Sequence, residues 1–280
     1  MKIAILGGSG YIGSKLCFAL SEQGHEVLCL SRDANKVERL IHENCKVLIH
    51  DINNNSSDVN LYKLFESPDI VIDAAWANLD DYSSRFHIER SLQFHYENIE
   101  NLIKHGLKNL TILGTCAEYG MQEGELSEEI ETRPVTNYAI AKDLYRRKVF
   151  KLKESADFRI NWARIFYFYG LSQPRSAIFS QLINANNSVF NMSYGEQIRD
   201  YLYIDEVIDY LCKIATSKNE IGLINVCSGI PLKLKSIVQN WVSMYELDVE
   251  INLGYYDYLN NEPFSFWGSV AKLKKFKIID

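Results

Sequence analysis

Between residues 3 and 23 the sequence carries the feature that most narrows what the chain can become. A short apolar run, Ile3–Leu6, opens directly into Gly7-Gly8-Ser9-Gly10-Tyr11-Ile12-Gly13, and an amphipathic stretch from Ser14 to Gln23 follows. Glycines spaced this way, between a strand and a helix, permit a tight turn, the approach of a pyrophosphate to the backbone and close packing of helix on strand. The free N–H groups and partial positive charge of the helix N-terminus then face the anion. Gly7, Gly10, Tyr11, Ile12 and Gly13 are therefore expected to line a dinucleotide site.

The pattern continues as alternating β-branched runs and helical periodicity. Strands are expected at Ile3–Leu6, Glu26–Leu30, Lys46–Ile49, Asp69–Ile72 and Leu110–Leu113, with helices near Ile12–Gln23, Arg85–His105 and Val135–Lys153. Such alternation gives right-handed crossovers and a doubly wound parallel sheet covered on both faces. We assign residues 1–165 to this α/β domain and 166–280 to a smaller substrate lobe, with a helix near Ile178–Ala185 and a strand at Leu223–Cys227.

Composition sets the outer limits. Hydrophobic residues make up 47% of the 280 and charged residues 24%, the balance of a folded globular chain. The net charge of −6 argues against a nucleic-acid partner, and the N-terminal apolar run is too short for a signal segment or a membrane span, so a cytoplasmic protein is expected. Six cysteines without a C-x-x-C pair argue against zinc and against a disulfide framework.

After the second strand come Ser31-Arg32-Asp33. An acidic residue there would hold free ribose hydroxyls, whereas Arg32 with Ser31 suits a 2′-phosphate, so the residues favour NADPH over NADH. Further on, Tyr138 and Lys142 lie four apart on one helical face, where the lysine would draw the phenol toward the working pH for proton transfer to a carbonyl oxygen. Tyr11 and Lys15 share that spacing but belong to the phosphate-binding helix. Upstream of Tyr138, the strand Leu110–Leu113 ends in Gly114-Thr115-Cys116-Ala117-Glu118-Tyr119-Gly120, delivering a hydroxyl at the sheet edge where such folds bind ligands.

The glycine loop, the strand-end Thr115 ahead of Tyr119-Gly120, and Tyr138-x-x-x-Lys142 together resemble the extended short-chain dehydrogenase/reductase family. Arg199-Asp200-Tyr201 and Asn225-Val226 with Ser228-Gly229 resemble later segments of that family, so the likeness reaches about residue 230. It implies a Rossmann domain, with Thr115 bonding the substrate oxygen, Tyr138 as acid and base, and Lys142 on the nicotinamide ribose. It also implies that Asp51 and Ile52 face the adenine, that Ala74, Ala75 and Trp76 run along the cofactor, and that Arg199 holds the diphosphate of a sugar nucleotide. An ion pair of Arg199 with Asp200 or Asp205 is the plainer alternative. A helical asparagine frequent in the family has no clear counterpart, and relatives dimerise through helices matching Arg85–His105 and Val135–Lys153, whose apolar stripes equally suit packing on the sheet.

Within the family, dehydratases carry Asp then Glu after the strand-end hydroxyl, where this chain has Cys116 and Ala117. Reductase-epimerases of the fucose-synthase type need a cysteine two places after it and a later histidine, and all six histidines here precede the strand. Glu118 either touches the sugar or serves the strand end. The segment looks most like reductases of nucleoside-diphosphate 4-keto-6-deoxyhexoses, of the abequose-synthase and dTDP-fucose-forming type, which supply surface polysaccharides. The expectation is NADPH-dependent C4 reduction, with an NAD-dependent 4-epimerase or a non-catalytic NADPH binder as alternatives.

Overall fold

The computed structural model describes residues 1–33, 36, 44–51, 59–258 and 262–280. Seven parallel strands form the central sheet: β1 (Lys2–Leu6), β2 (Glu26–Ser31), β3 (Cys45–Ile49), β4 (Ile70–Asp73), β5 (Asn109–Thr115), β6 (Arg159–Ile165) and β7 (Gly222–Val226). Their order across the sheet is β7-β6-β5-β4-β1-β2-β3. The order reverses after β1, and a doubly wound sheet opens a crevice at that point, at the carboxyl ends of its strands. Strands such as Ile70–Asp73 are buried along their whole length, as expected of a parallel sheet covered on both faces.

Helices α1 (Tyr11–Glu22), α2 (Leu61–Leu64), α3 (Leu92–Lys104) and α4 (Asn137–Lys151) precede β6; α5 (Ile178–Asn184), α6 (Ile204–Ala215), α7 (Leu234–Met244) and α8 (Ala271–Lys275) follow it. One core packs Leu16 and Leu20 of α1 and Val207 and Leu211 of α6 on the sheet. The opposite core takes Ile99 and Leu102 of α3 with Tyr145 and Val149 of α4. These apolar residues of α3 and α4 pack on the sheet.

A third core, built on Phe179, Leu182, Trp241 and Val238, holds the lobe together. Two-stranded ladders surround it, among them Ser188–Met192 with Val249–Leu253 and Tyr167–Tyr169 with Tyr201–Tyr203. Two strand pairings cross the division expected at residue 165: Gly222–Val226 with Asn161–Ile165 at the sheet edge, and Phe266–Gly268 with Gly124–Leu126. The strand Arg159–Ile165 itself escaped sequence reading, since Arg159 and Arg164 interrupt its apolar run.

Candidate active site

The glycine loop wraps the carboxyl end of β1. Gly7 sits at φ +72°, and a Cβ there would stand 2.7 Å from Ala75 Cα, so this backbone tolerates only glycine. A Cβ on Gly13 would collide with the carbonyl of Gly7. Gly10 is the N-cap of α1, whose first turn has neither an acidic residue nor a side-chain cap, which leaves its N–H groups to an anion. The loop therefore fits a dinucleotide pyrophosphate.

Of the residues expected at the cofactor, Gly7, Gly10, Ser31, Arg32, Ala74, Ala75 and Trp76 border the cleft above this loop. Ser9, Lys36, His50, Ala77 and His95 border it too and were missed. The hydroxyl of Ser31 donates to Ser9 Oγ at 2.8 Å, tying the second strand to the loop. Lys36 joins Arg32 at the same end, a second cation that spacing alone did not mark.

Other expected cofactor residues stand apart from this lining. The Tyr11 hydroxyl donates to the Leu171 carbonyl at 3.0 Å and its ring stacks on Phe168, so it braces the lobe. Ile12 packs partly buried against the α1 core, and Asp51 follows the cleft residue His50. Ile52 lies outside the described residues.

Thr115, Tyr138 and Lys142 converge on the carboxyl ends of β4 and β5. Thr115 closes β5, and its Oγ1 accepts from the Ala117 N–H at 3.2 Å. Tyr138 and Lys142 are both buried, one turn apart on α4. The backbone N–H of Tyr138 donates to the Tyr82 carbonyl at 3.0 Å, and Tyr82, itself 51% exposed, stacks on the Tyr138 ring at 4.9 Å.

The electrostatics differ from expectation. Burial pushes the Tyr138 phenol well above its ordinary value; Tyr82 adds to this, and the Thr115 hydroxyl pulls the other way by favouring the phenolate. Lys142 does not set this balance, because its Nζ is turned to the Leu113 carbonyl at 2.8 Å and sits 4.1 Å from the centre of the Trp76 ring. Burial lowers the ammonium to about 8, with Asp73 and then Glu118 opposing the fall.

Trp76 organises the floor of the site. Its indole N–H donates to His87 Nδ1 at 3.1 Å, so His87 Nε2 carries the hydrogen and donates to the Asp81 carbonyl at 2.9 Å. His95 stacks on the same indole at 4.7 Å and reaches Asp73 Oδ2 at 3.1 Å, while the Tyr145 hydroxyl donates to that oxygen at 2.8 Å. Burial raises the Asp73 carboxyl, but His95, Lys142 and Tyr145 together outweigh it and hold the group below its ordinary value.

Two expected substrate contacts take other roles. Glu118 is fully buried: Oε1 accepts from the Thr115 N–H at 3.0 Å and from Trp162 Nε1 at 2.9 Å, and Oε2 from Arg164 Nε at 2.8 Å. It presents no surface to a sugar, so its place as a substrate ligand is corrected. Arg199 is also buried. Its Nη1 donates to the carbonyls of Ile198 and Phe264, and its Nη2 to Glu262 Oε2 at 2.9 Å, so a carboxylate fills the place expected for a diphosphate. Neither Asp200 nor Asp205 is its partner. Asp200 accepts instead from Ser228 N and Oγ, Gly229 N and Gly268 N, stapling the Arg-Asp-Tyr segment to the chain after β7. Both exceptions depend on partners distant in sequence, which motif spacing does not reveal.

The profile of the NAD dependent epimerase/dehydratase family matches residues 3–227. The chain belongs to this family. A dTDP-6-deoxy-L-talose 4-dehydrogenase (NAD(+)) of Aggregatibacter actinomycetemcomitans is 23% identical over 273 residues, covering 96% of this chain and 100% of that protein. A GDP-6-deoxy-D-talose 4-dehydrogenase of the same organism is 24% identical over 267 residues, covering 90% of this chain and 83% of that protein. Among solved structures, a UDP-glucuronic acid 4-epimerase from Bacillus cereus, in complex with UDP-glucuronic acid and NAD, superposes with a TM-score of 0.86 at 21% identity. That superposition covers 99% of this chain and 92% of the other, and bears on the fold.

Proposed function

We propose that this chain is a nicotinamide-dependent enzyme that interconverts the hydroxyl and the ketone at C4 of a nucleoside-diphosphate hexose. The observation carrying the reading is that α4 sets Tyr138 edge-on to Trp76 at 6.2 Å and bonds Lys142 to the Leu113 carbonyl, just before Thr115, beside a glycine-loop cleft that Trp76 and His95 help to line. When bound, the nicotinamide supplies or accepts the hydride at the sugar carbon. Gly7, Gly10 and the uncapped N-terminus of α1 would hold its pyrophosphate, with Ser31, Arg32, Ala74 and Ala75 along its length.

The chain's own groups then divide the proton work. A phenol kept protonated by burial gives its proton from Tyr138 Oη to a ketone oxygen and takes one back in the reverse direction. One lone pair of Thr115 Oγ1 is occupied by the Ala117 N–H, which leaves the hydroxyl hydrogen to bond the same substrate oxygen. Lys142, whose Nζ bonds the Leu113 carbonyl beside Trp76, would hold the nicotinamide ribose.

Two outcomes share this machinery. If NAD stays bound through both half-reactions, the ketone can be reduced from either face and the enzyme is a 4-epimerase; the family and the NAD-bound 4-epimerase fold favour this reading. Net reduction of a 4-keto-6-deoxyhexose by NADPH is the second reading. It draws on the nearly full-length likeness to two 6-deoxytalose 4-dehydrogenases and on Arg32 with Lys36 at the ribose end. The test is incubation with each nicotinamide cofactor and a panel of dTDP-, UDP-, GDP- and CDP-linked hexoses and 4-keto-6-deoxyhexoses, followed by NMR. Interconversion of C4 epimers without net cofactor consumption supports the first reading, and stoichiometric oxidation of NADPH the second. Absence of C4 chemistry on every sugar overturns both.

A further inference from the structure

Behind Thr115, away from the cleft, lies a buried charged cluster that the proposed chemistry does not use. Glu118 and Arg164 are 0% and 1% exposed, in a region otherwise built as apolar core. A buried ion pair is weak evidence for stability, since desolvating both charges offsets their attraction, so its presence calls for another explanation. Here the carboxylate is fully engaged: Trp162 and the Thr115 N–H bond one oxygen, Arg164 the other, and Arg146 Nε approaches that second oxygen at 3.5 Å. The Arg164 guanidinium in turn lies 4.4 Å over the ring of Tyr119. The Tyr119 hydroxyl donates to Asn225 Oδ1 at 2.8 Å, which fastens the cluster to β7.

We infer that Glu118 is a positioning residue, clamped by Arg164 and Trp162, that fixes the direction of the Thr115 hydroxyl toward Tyr138. The geometry is a reciprocal cap on the tight turn Cys116–Tyr119: Glu118 accepts from the backbone of Thr115, and the side chain of Thr115 accepts from the backbone of Ala117. The first bond fixes where the strand ends. The second occupies an acceptor site on the hydroxyl, so the remaining hydrogen points to the acid/base side. A glycine precedes Thr115 because a Cβ on Gly114 would collide with Trp162 Nε1 and come within 2.7 Å of Glu118 Oε1. The clamp thus reaches the hydroxyl through two short, part-buried links.

This inference rests on the proposed role of Thr115, and its test separates the two. Protein labelled with ¹³C at tyrosine Cζ is prepared as wild type, Thr115→Ala, Glu118→Gln and the double variant, with the Tyr138 resonance identified by its loss in Tyr138→Phe. The expected result is that Thr115→Ala displaces the resonance, Glu118→Gln displaces it in the same direction, and the double variant matches Thr115→Ala alone. Turnover follows the same pattern: about 100-fold lost on Thr115→Ala, the loss typical of removing one oxyanion donor, and a smaller loss on Glu118→Gln that vanishes in the Thr115→Ala background, with cofactor affinity unchanged.

A Glu118→Gln effect of equal size in both backgrounds, or a resonance that does not move, overturns the inference. If Glu118→Gln does not fold, Trp162→Phe removes one donor to the same oxygen while leaving Arg164 in place, and is read through the same cycle. Should no nucleotide sugar be turned over while the resonances behave as described, the proposed function fails and the positioning role stands.

Discussion

Replacing Lys142 with methionine should inactivate the protein and, at neutral pH, stabilise it. Burial holds the Lys142 ammonium at about 8 against an ordinary 10.5. A base whose pKa is lower in the folded than in the unfolded chain costs stability wherever it is charged. The cost is absent above about 10.5 and complete below about 8. At about 1.4 kcal/mol per unit this amounts to roughly 3 kcal/mol at pH 7. Methionine has similar length and no charge, so it removes that cost but leaves the Leu113 carbonyl without its donor, at about 1–2 kcal/mol. The net expectation is a gain of about 1–2 kcal/mol at pH 7, shrinking as the pH rises through 8 and gone or reversed at pH 10. Equilibrium urea unfolding of both proteins at pH 7 and pH 10 measures the difference directly. A variant less stable than the parent at pH 7, or a difference that does not change with pH, would refute the reasoning. The gain would mark Lys142 as a site where stability is given up for chemistry.

Further expectations can be checked with the same preparations. Tyr138→Phe should keep its fold and its cofactor affinity, measured by fluorescence titration, while turnover falls by about 10²–10⁴-fold; a variant as active as the parent removes Tyr138 from the mechanism. In Gly13→Ala, helix propensity offers up to about 1 kcal/mol, but the Cβ collides with the Gly7 carbonyl. We expect a net loss of about 1–3 kcal/mol and weakened cofactor binding, whereas an unchanged melting temperature would show that the loop relaxes freely. Asp200→Ala leaves four donors at Ser228, Gly229 and Gly268 without their common acceptor. It should lower stability by about 3 kcal/mol or more, read as an earlier urea midpoint.

What could be read from the sequence follows the range of the interactions involved. The glycine loop was legible because the positive φ of Gly7 and the clash of a Gly13 Cβ with the Gly7 carbonyl are local backbone constraints. Thr115, Tyr138 and Lys142 were legible because a strand end and a helical turn fix their spacing. Helix α6 and the strand Arg159–Ile165 were not. The strand hides behind Arg164, an arginine that belongs in a core only because Glu118 meets it from 46 residues away. Arg199 was found, but its partner Glu262 lies 63 positions on, and His95 enters the cleft only because β4 and α3 bring it onto Trp76. The acidity of Tyr138 was misjudged for a related reason. Helical spacing placed Lys142 on the right face, but only packing turned its ammonium to Leu113.

The order of strands in the sheet also bears on how the chain is made. One edge, β3, is complete by residue 49, while the other, β7, does not exist until residue 226. Until then β6 has an open edge of unpaired N–H and C=O groups on the side away from β5, the kind of surface that recruits foreign strands. Tyr119 and Arg164, on one side of the Thr115 clamp, await Asn225 from that last strand. A ribosome-bound chain stopped short of residue 222 would therefore be expected to carry its cofactor loop and hydroxyl pair on an unfinished sheet, prone to aggregate. Release of the final strand from the exit tunnel would close the edge and bring Asn225 to Tyr119 in one step.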